Sequence, residues 1–248
     1  MARNAEETIG ASVASVACQT YHNIEHIIID GASTDRTVDR AREGSSRIAR
    51  IVSEKDHGIY DAMNKGINMA TGDIVGLVNA DDLLENSKVL NQIVETLEKN
   101  PRAAGCYSDL VYVGRNTPGK IKRFWKSSPF RPGLFARGWV PPHPTVYLRR
   151  SVYEQIGGFD TRYRLAADYE FLLRLFEVNR LPMIYSPHIW IRMRLGGATN
   201  MNRANIVAGN REIAAALRAH HQGWPPLVLT LKLLRRVPQF LRKGSASR

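Results

Sequence analysis

Two adjacent carboxylates, Asp81 and Asp82, follow the apolar run Val75-Gly76-Leu77-Val78-Asn79-Ala80. The run reads as a buried strand that delivers both acids at its C-terminal end, where open α/β sheets place their ligands. Paired acidic oxygens are hard donors, suited to Mg²⁺ or Mn²⁺ and, through the cation, to a diphosphate. Taken alone, the pair could equally serve as a helix N-cap. Three further polar segments carry candidate carboxylates: Asp30-Gly-Ala-Ser-Thr-Asp-Arg-Thr37, Asp56-His-Gly-Ile-Tyr-Asp-Ala-Met-Asn-Lys-Gly66 and Ala167-Asp168-Tyr169-Glu170. Each has a plain structural reading as well. Asp30 can form a turn, Asp56 an Asx-turn before Gly58, and Asp168 can favour a helix dipole.

The elements that must hold these residues alternate. Ile9, Val13, Val16 and Ala17 have helical spacing within Thr8–Gln19. Ile27-Ile28-Ile29 is a β-branched strand ending at Asp30-Gly31, after which Ser33 or Thr34 can cap a helix carrying Val38 and Ala41. A strand over Ile48–Ser53, a helical face of Ile59, Ala62, Met63, Ile67 and Ala70, and a strand over Ile74–Val78 follow. Lys88–Lys99 is the next helix. This order predicts an α/β fold with a largely parallel sheet. Arg115–Arg137 reads as loop. Pro142-His143-Pro144, a strand at Thr145–Leu148, a helix from Ser151 and another over Leu165–Asn179 come next, then strand-like Met183–Tyr185 and Ile189–Met193.

The 248 residues suffice for one good core and carry a formal charge of +12. From Ile213 onward lie Arg218, Lys232, Arg235, Arg236, Arg242, Lys243 and Arg248 without one acid, so this segment holds +7 of the +12. Cys18 and Cys106 have no metal or redox spacing, which makes a reducing cytoplasm the default. No run approaches the ~20 apolar residues that cross a bilayer. His22 and His26 are four apart but lead into a strand, and Gly157-Gly158 and Gly196-Gly197 lack a dinucleotide-loop context.

Taken in order, the three polar segments and Asn79-Ala-Asp-Asp82 resemble family 2 glycosyltransferases of the GT-A fold. Ile156-Gly-Gly-Phe-Asp160 and Arg194-Leu-Gly-Gly197 also fit that pattern. The resemblance covers roughly residues 4–200 and is nearest to bacterial members that build surface glycans and glycolipids. It implies a nucleotide-diphosphate sugar donor, a divalent cation and inversion in one displacement. Asp30 then matches a residue bonding the base, with Ser33 in the same turn, and Asp56 a second base contact. Asp81 matches the residue near ribose and metal, and Asp82 the metal ligand. Asp168 matches the general base, which accepts the proton of the incoming hydroxyl. His143 falls where relatives often carry a His near the acceptor, although a turn His between prolines is an equal reading. Glu170 lies on another helix face and is read as structural.

The chain departs from the pattern in three places. The first apolar strand of the family is absent before Asn4, and the expectation is a native start some ten or more residues upstream. No Gln/Arg-x-x-Arg-Trp motif of processive synthases occurs, which suits single addition. Met63 stands where relatives often have a basic residue. The tail, residues 224–243, mixes Leu227, Val228, Leu229, Leu231, Leu233, Leu234 and Phe240 with cations. It reads as an amphipathic helix on an anionic membrane surface, or as a helix packed on the catalytic domain. Nucleic acid is not expected, since stacking aromatics do not accompany the cations. The expected organisation is a glycosyltransferase domain over 1–212 and a basic tail over 213–248, peripheral to the inner face of the plasma membrane. The acceptor is expected to be a glycan or lipid-linked. The rival reading is a catalytically impaired, membrane-associated module on the same fold.

Overall fold

A computed structural model describes residues 1–115, 117–196 and 203–241. Gly197 of the Arg194-Leu-Gly-Gly197 motif and Arg242, Lys243 and Arg248 of the basic tail lie outside the described residues.

The helices form where periodicity predicts them. In α1 (Ile9–Ala17) the buried residues Ile9, Val13 and Val16 share one face. Strand β1 (His26–Asp30) runs parallel to β2 (Ile48–Ser53). Between them α2 (Thr37–Gly44) starts later than expected, because Ser33 turns back to Asp30 instead of capping. The Thr37 N–H is taken by Asp35 Oδ1 at 3.0 Å. Helix α3 (Ile59–Met69) buries Tyr60, Ala62, Met63 and Ile67. Met63 therefore sits in the core rather than at a site. Helix α4 (Val89–Glu98) buries Val89, Ile93 and Leu97.

The largely parallel sheet is not what forms. The larger sheet has six strands in the order β3 (Ile74–Gly76), β7 (Tyr147–Arg149), β5 (Gly105–Gly114), β8 (Met183–Arg194) and β4 (Asp82–Leu84), with β6 (Thr117–Trp125) also paired to β5. Of its pairings only β5 with β8 is parallel. After α4 the chain returns by hairpins and short reversals, so helical crossovers no longer dictate direction. The sheet is mixed.

Arg115–Arg137, read as loop, contains β6. Its Lys120, Lys122 and Arg123 conceal an edge strand whose Ile121, Phe124 and Trp125 pair with Val113, Val111 and Leu110 of β5. β5 itself, the middle strand, escaped the sequence reading because Ser108-Asp109 interrupts its apolar run. All but its last residue are buried. The two expected strands at 183–193 are one, β8, with a register shift opposite Ser108 and Asp109 around Pro187-His188. The strand before Asp81 also ends early, at Gly76, and Asp82 opens β4.

The two sheets meet at the first residues. Ala2 N–H donates to Ile29 O at 2.8 Å, Gly31 N–H to Ala2 O at 2.8 Å and Ala80 N–H to Met1 O at 3.1 Å. This short extended stretch sets the end of β1 beside the Asn79–Asp82 turn.

The main core joins α5 (Arg150–Ile156), α6 (Ala167–Leu173) and the π-helical turn that continues it to α7 (Arg203–Ala219) and α8 (Pro225–Leu234). Ile213, Ala216, Leu217 and Val228 are buried with Tyr107, Phe135, Trp139 and Phe176. Phe135 packs edge-on to Trp139 at 5.5 Å and Tyr169 at 5.7 Å between centroids. Pro225 and Pro226 open α8 after Trp224, and the chain turns at Arg235-Arg236 into α9 (Val237–Leu241). Gly138 has φ 73°, and a Cβ there would lie 2.3 Å from the Lys232 backbone N. Only glycine lets α8 come this close. No helix among the described residues is long and apolar enough to cross a membrane.

Candidate active site

The carboxyl ends of β1 and β2 gather the first group of acids. Asp30 is wholly buried, and its Oδ2 accepts hydrogen bonds from Ser33 N–H at 3.0 Å and Ser53 Oγ at 2.6 Å. Its Oδ1 accepts from Ser33 Oγ at 2.5 Å, and Ser33 Oγ in turn accepts from Asn4 N–H at 2.8 Å. Three local donors thus balance the buried charge. Asp56 accepts from Gly58 N–H at 3.0 Å, the geometry of an Asx-turn, while its Oδ2 lies over Gly31. A Cβ at position 31 would be 2.3 Å from that oxygen. Gly31 is what permits Asp30 and Asp56 to share one corner.

The second group surrounds Asp82. Its Oδ2 accepts from Asn79 Nδ2 at 2.8 Å, and the same turn is closed by Asp82 N–H to Asn79 O at 3.1 Å. Asp82 Oδ1, Asn79 Oδ1 and Arg194 Nε are buried without partners among the described residues. Arg194 follows Met193, the β8 partner of Asp82, and donates to Asp81 O at 3.2 Å. Burial, and after it the charge of Asp81, pushes the Asp82 pKa up to about 8, against the pull of Asn79 and Arg194.

A buried carboxylate oxygen without a donor, next to a second carboxylate, fits a divalent cation. Among the described residues no cluster of three or more His, Cys, Asp or Glu exists that could hold a metal by itself. Asp81 and Asp82 would therefore leave several positions to water and phosphate oxygens, as Mg²⁺ prefers.

Asp168 lies across the site in the first turn of α6. The Tyr60 hydroxyl of α3 donates to its Oδ1 at 3.0 Å. The turn before it is held from α7: Glu212 accepts from the N–H groups of Arg164, Leu165 and Ala166 at 3.1, 2.8 and 2.9 Å. Asn64 clamps the neighbouring backbone, accepting from Phe159 N–H and donating to Phe159 O, both at 2.8 Å. His143 stacks edge-on to Phe159 at 5.4 Å. Burial lowers the His143 pKa, and the charge of Asp168 opposes the shift. Burial raises the pKa of Tyr112; Arg123 and Arg236 oppose the shift, and the charges of Asp82 and Asp168 add to it. Glu170 points away and binds Arg174 at 2.7 Å and His220 at 2.9 Å.

Sequence reasoning missed Tyr60, Asn64, Glu212 and Lys232. Tyr60 and Asn64 lie inside the Asp56–Gly66 segment, so spacing could have raised them. Glu212 and Lys232 meet the site only through tertiary packing and carried no local signal.

Residues 1–167 match the model of the family described as glycosyl transferase family 2. A PGL/p-HBAD biosynthesis glycosyltransferase of Mycobacterium bovis (strain BCG) is 32% identical over 211 residues, 79% of this chain and 76% of that protein. An uncharacterized glycosyltransferase of Mycobacterium tuberculosis is 36% identical over 165 residues, 66% of this chain and 62% of that protein. Among solved structures, S. aureus TarS superposes with a TM-score of 0.64 at 17% identity, over 99% of this chain but 45% of that one. The mannosyltransferase PcManGT from Pyrobaculum calidifontis, in complex with GDP-Man and Mn²⁺, gives 0.64 at 19% identity over 95% and 68%. These two likenesses show the fold, GT-A, with its mixed sheet flanked by helices.

Proposed function

The chain belongs to glycosyl transferase family 2, and we propose that it moves one sugar from a nucleotide-diphosphate donor to a hydroxyl of a glycan or lipid-linked acceptor, inverting the anomeric centre. One observation carries this reading: the Asp168 carboxylate is oriented by the Tyr60 hydroxyl at the start of α6, while Asp82 keeps a buried oxygen without a donor beside Asp81. Asp168 is the base that takes the proton of the attacking hydroxyl. A base on one side and charge stabilisation on the other complete a one-step displacement. His143 lies on the acceptor side of Asp168. Asp30, Ser33 and Asp56 form the nucleoside corner, and Asp81 stands between that corner and Asp82.

Asp82 and Asp81 would hold Mg²⁺ or Mn²⁺, which when bound offsets charge developing on the departing diphosphate. That PcManGT binds GDP-Man with Mn²⁺ and TarS binds UDP-GlcNAc supports a nucleotide-sugar donor here. The name of the mycobacterial relatives supports a product of the glycolipid type.

In this reading residues 1–212 carry the catalytic domain, and 213–248, whose Ile213, Ala216, Leu217 and Val228 pack on its core, are a basic tail whose exposed apolar residues seat it on the inner face of the plasma membrane. Trp224, Leu227, Leu233, Leu234, Val237 and Phe240 are exposed and support an apolar contact with a bilayer. Flotation with phosphatidylglycerol vesicles tests this: no binding, or equal binding after deletion beyond Gly223, contradicts it.

The test of catalysis is Asp168→Asn. Transfer should vanish while nucleotide binding survives. Near-normal turnover would remove Asp168 from the mechanism.

A further inference from the structure

A cavity of about 240 Å³ lies between β6 and the C-terminal helices. Arg123 and Lys126 line it from one side, Lys232, Arg235 and Arg236 from the other, and no Asp or Glu lines it. Among the described residues none of these five cations is in an ion pair. Trp139 also lines the cavity; it is 6% exposed, and its indole Nε1 has no acceptor among the described residues. Like charges held around one cavity repel, and a buried N–H without an acceptor costs free energy. Both features point to an anion with several acceptor oxygens.

Lys232 connects the cavity to α6, its Nζ lying 5.0 Å from the ring centroid of Tyr169, the residue after Asp168. The cations that act on Asp82 are Arg194 and the N-terminal ammonium of Met1. Lys232 is half-buried at the cavity, and Arg235 and Arg236 line it from exposed positions.

We propose that this cavity binds a phosphate carried by the acceptor, next to the hydroxyl that Asp168 deprotonates. The proposal rests on the reading of Asp168 as the base. Arg123 donates to Gln239 and Arg235 Nε to Arg137 O, so the Arg236 guanidinium is the group to match two phosphate oxygens, with the Lys232 ammonium and the Trp139 indole N–H, which has no acceptor among the described residues, as further donors. Trp125 adds a flat apolar wall beside them. The acceptor is thereby of the sugar-phosphate or lipid-phosphate class, and its supplier is a reaction that leaves a phosphate on the growing molecule.

The test is binding of hexyl phosphate to the full chain in EDTA, followed by calorimetry and by the Trp139 indole resonance, with hexanol as control. Saturable binding that moves this resonance, and that weakens about ten-fold or more in Arg236→Gln/Lys232→Gln, is expected. Lys126→Gln, at an exposed position, supplies a second variant should the double one fold poorly. Asp82→Asn should leave hexyl phosphate binding unchanged while it removes any metal-dependent nucleotide shift, so the donor reading fails or stands separately. No saturable binding, equal binding by the charge variants, or loss of binding with Asp82→Asn would overturn the proposal. A loss confined to phosphatidylglycerol vesicles, with hexyl phosphate binding intact, would assign the cations to the bilayer and also overturn it.

Discussion

The Tyr60 hydroxyl lies 3.0 Å from Asp168 Oδ1 and donates to it, joining α3 to α6 across the candidate site. Both the burial of Tyr60 and the charge of Asp168 raise the pKa of this phenol, so it remains a donor at any working pH. The bond fixes the carboxylate's direction. Tyr60→Phe keeps the ring against Phe159, whose centroid is 5.7 Å away, and removes only the hydroxyl. Losing a hydrogen bond to a charged group should lower kcat about ten-fold. Steady-state kinetics with unchanged nucleotide affinity would support this, and an unchanged kcat would contradict it.

Glu212 acts one step further out. Its carboxylate receives three backbone N–H groups immediately before α6. Glu212→Ala leaves those donors without that acceptor and should destabilise the fold by about 2 kcal/mol. Urea unfolding measures the loss, and Glu212→Gln should recover part of it. Hydrogen exchange should rise first at residues 164–168, because the turn that carries Asp168 loosens before the core.

Asp82 should trade stability for binding. A buried carboxylate whose Oδ1 has no donor costs free energy when no cation is near. Asp82→Asn should therefore raise the melting temperature of the metal-free protein while removing the metal-dependent response to nucleotide. A variant that melts lower in EDTA would contradict this account of its environment.

Lys232 gives the pH dependence. Burial, and after it the charge of Arg236, lowers its pKa to about 8, while Asp168 opposes the shift. The ammonium is charged below that value and neutral above it. Hexyl phosphate binding should therefore weaken as pH rises from 7 to 9, and this step should disappear in Lys232→Met. The same substitution should stabilise the unliganded protein by on the order of 1 kcal/mol, since a partly buried charge is replaced by an apolar chain.

The local geometry around several candidate site residues was legible in the sequence because short motifs encode turns. Asp30 with Ser33, and Asp56 with Gly58, are turns whose partners lie within three residues, so type and spacing reveal them. The helices α1, α3 and α4 follow from apolar spacing. The sheet was less legible. β5 is interrupted by Ser108-Asp109, whose polar groups are satisfied only by distant partners: Thr145 for the Ser108 backbone, and Ser127 and Tyr185 for the Asp109 carboxylate. Strand direction depends on which distant segment pairs with which, and no local pattern carries that. The C-terminal helices showed the same limit. Their composition predicts an amphipathic helix, but only the close approach to Gly138 and the burial of Val228 in the main core bring Lys232 to the ring of Tyr169.

Thermal stability against UDP, dTDP and GDP, each with and without Mn²⁺, tests the central claim most directly. A ligand at about 100 times its Kd should add about 2.7 kcal/mol to the folded state. The account predicts an upshift with at least one nucleotide that requires Mn²⁺ and is absent in Asp82→Asn. No shift with any nucleotide, or a shift indifferent to both Mn²⁺ and Asp82, would contradict a metal-assisted donor site and leave the catalytically impaired module as the better reading.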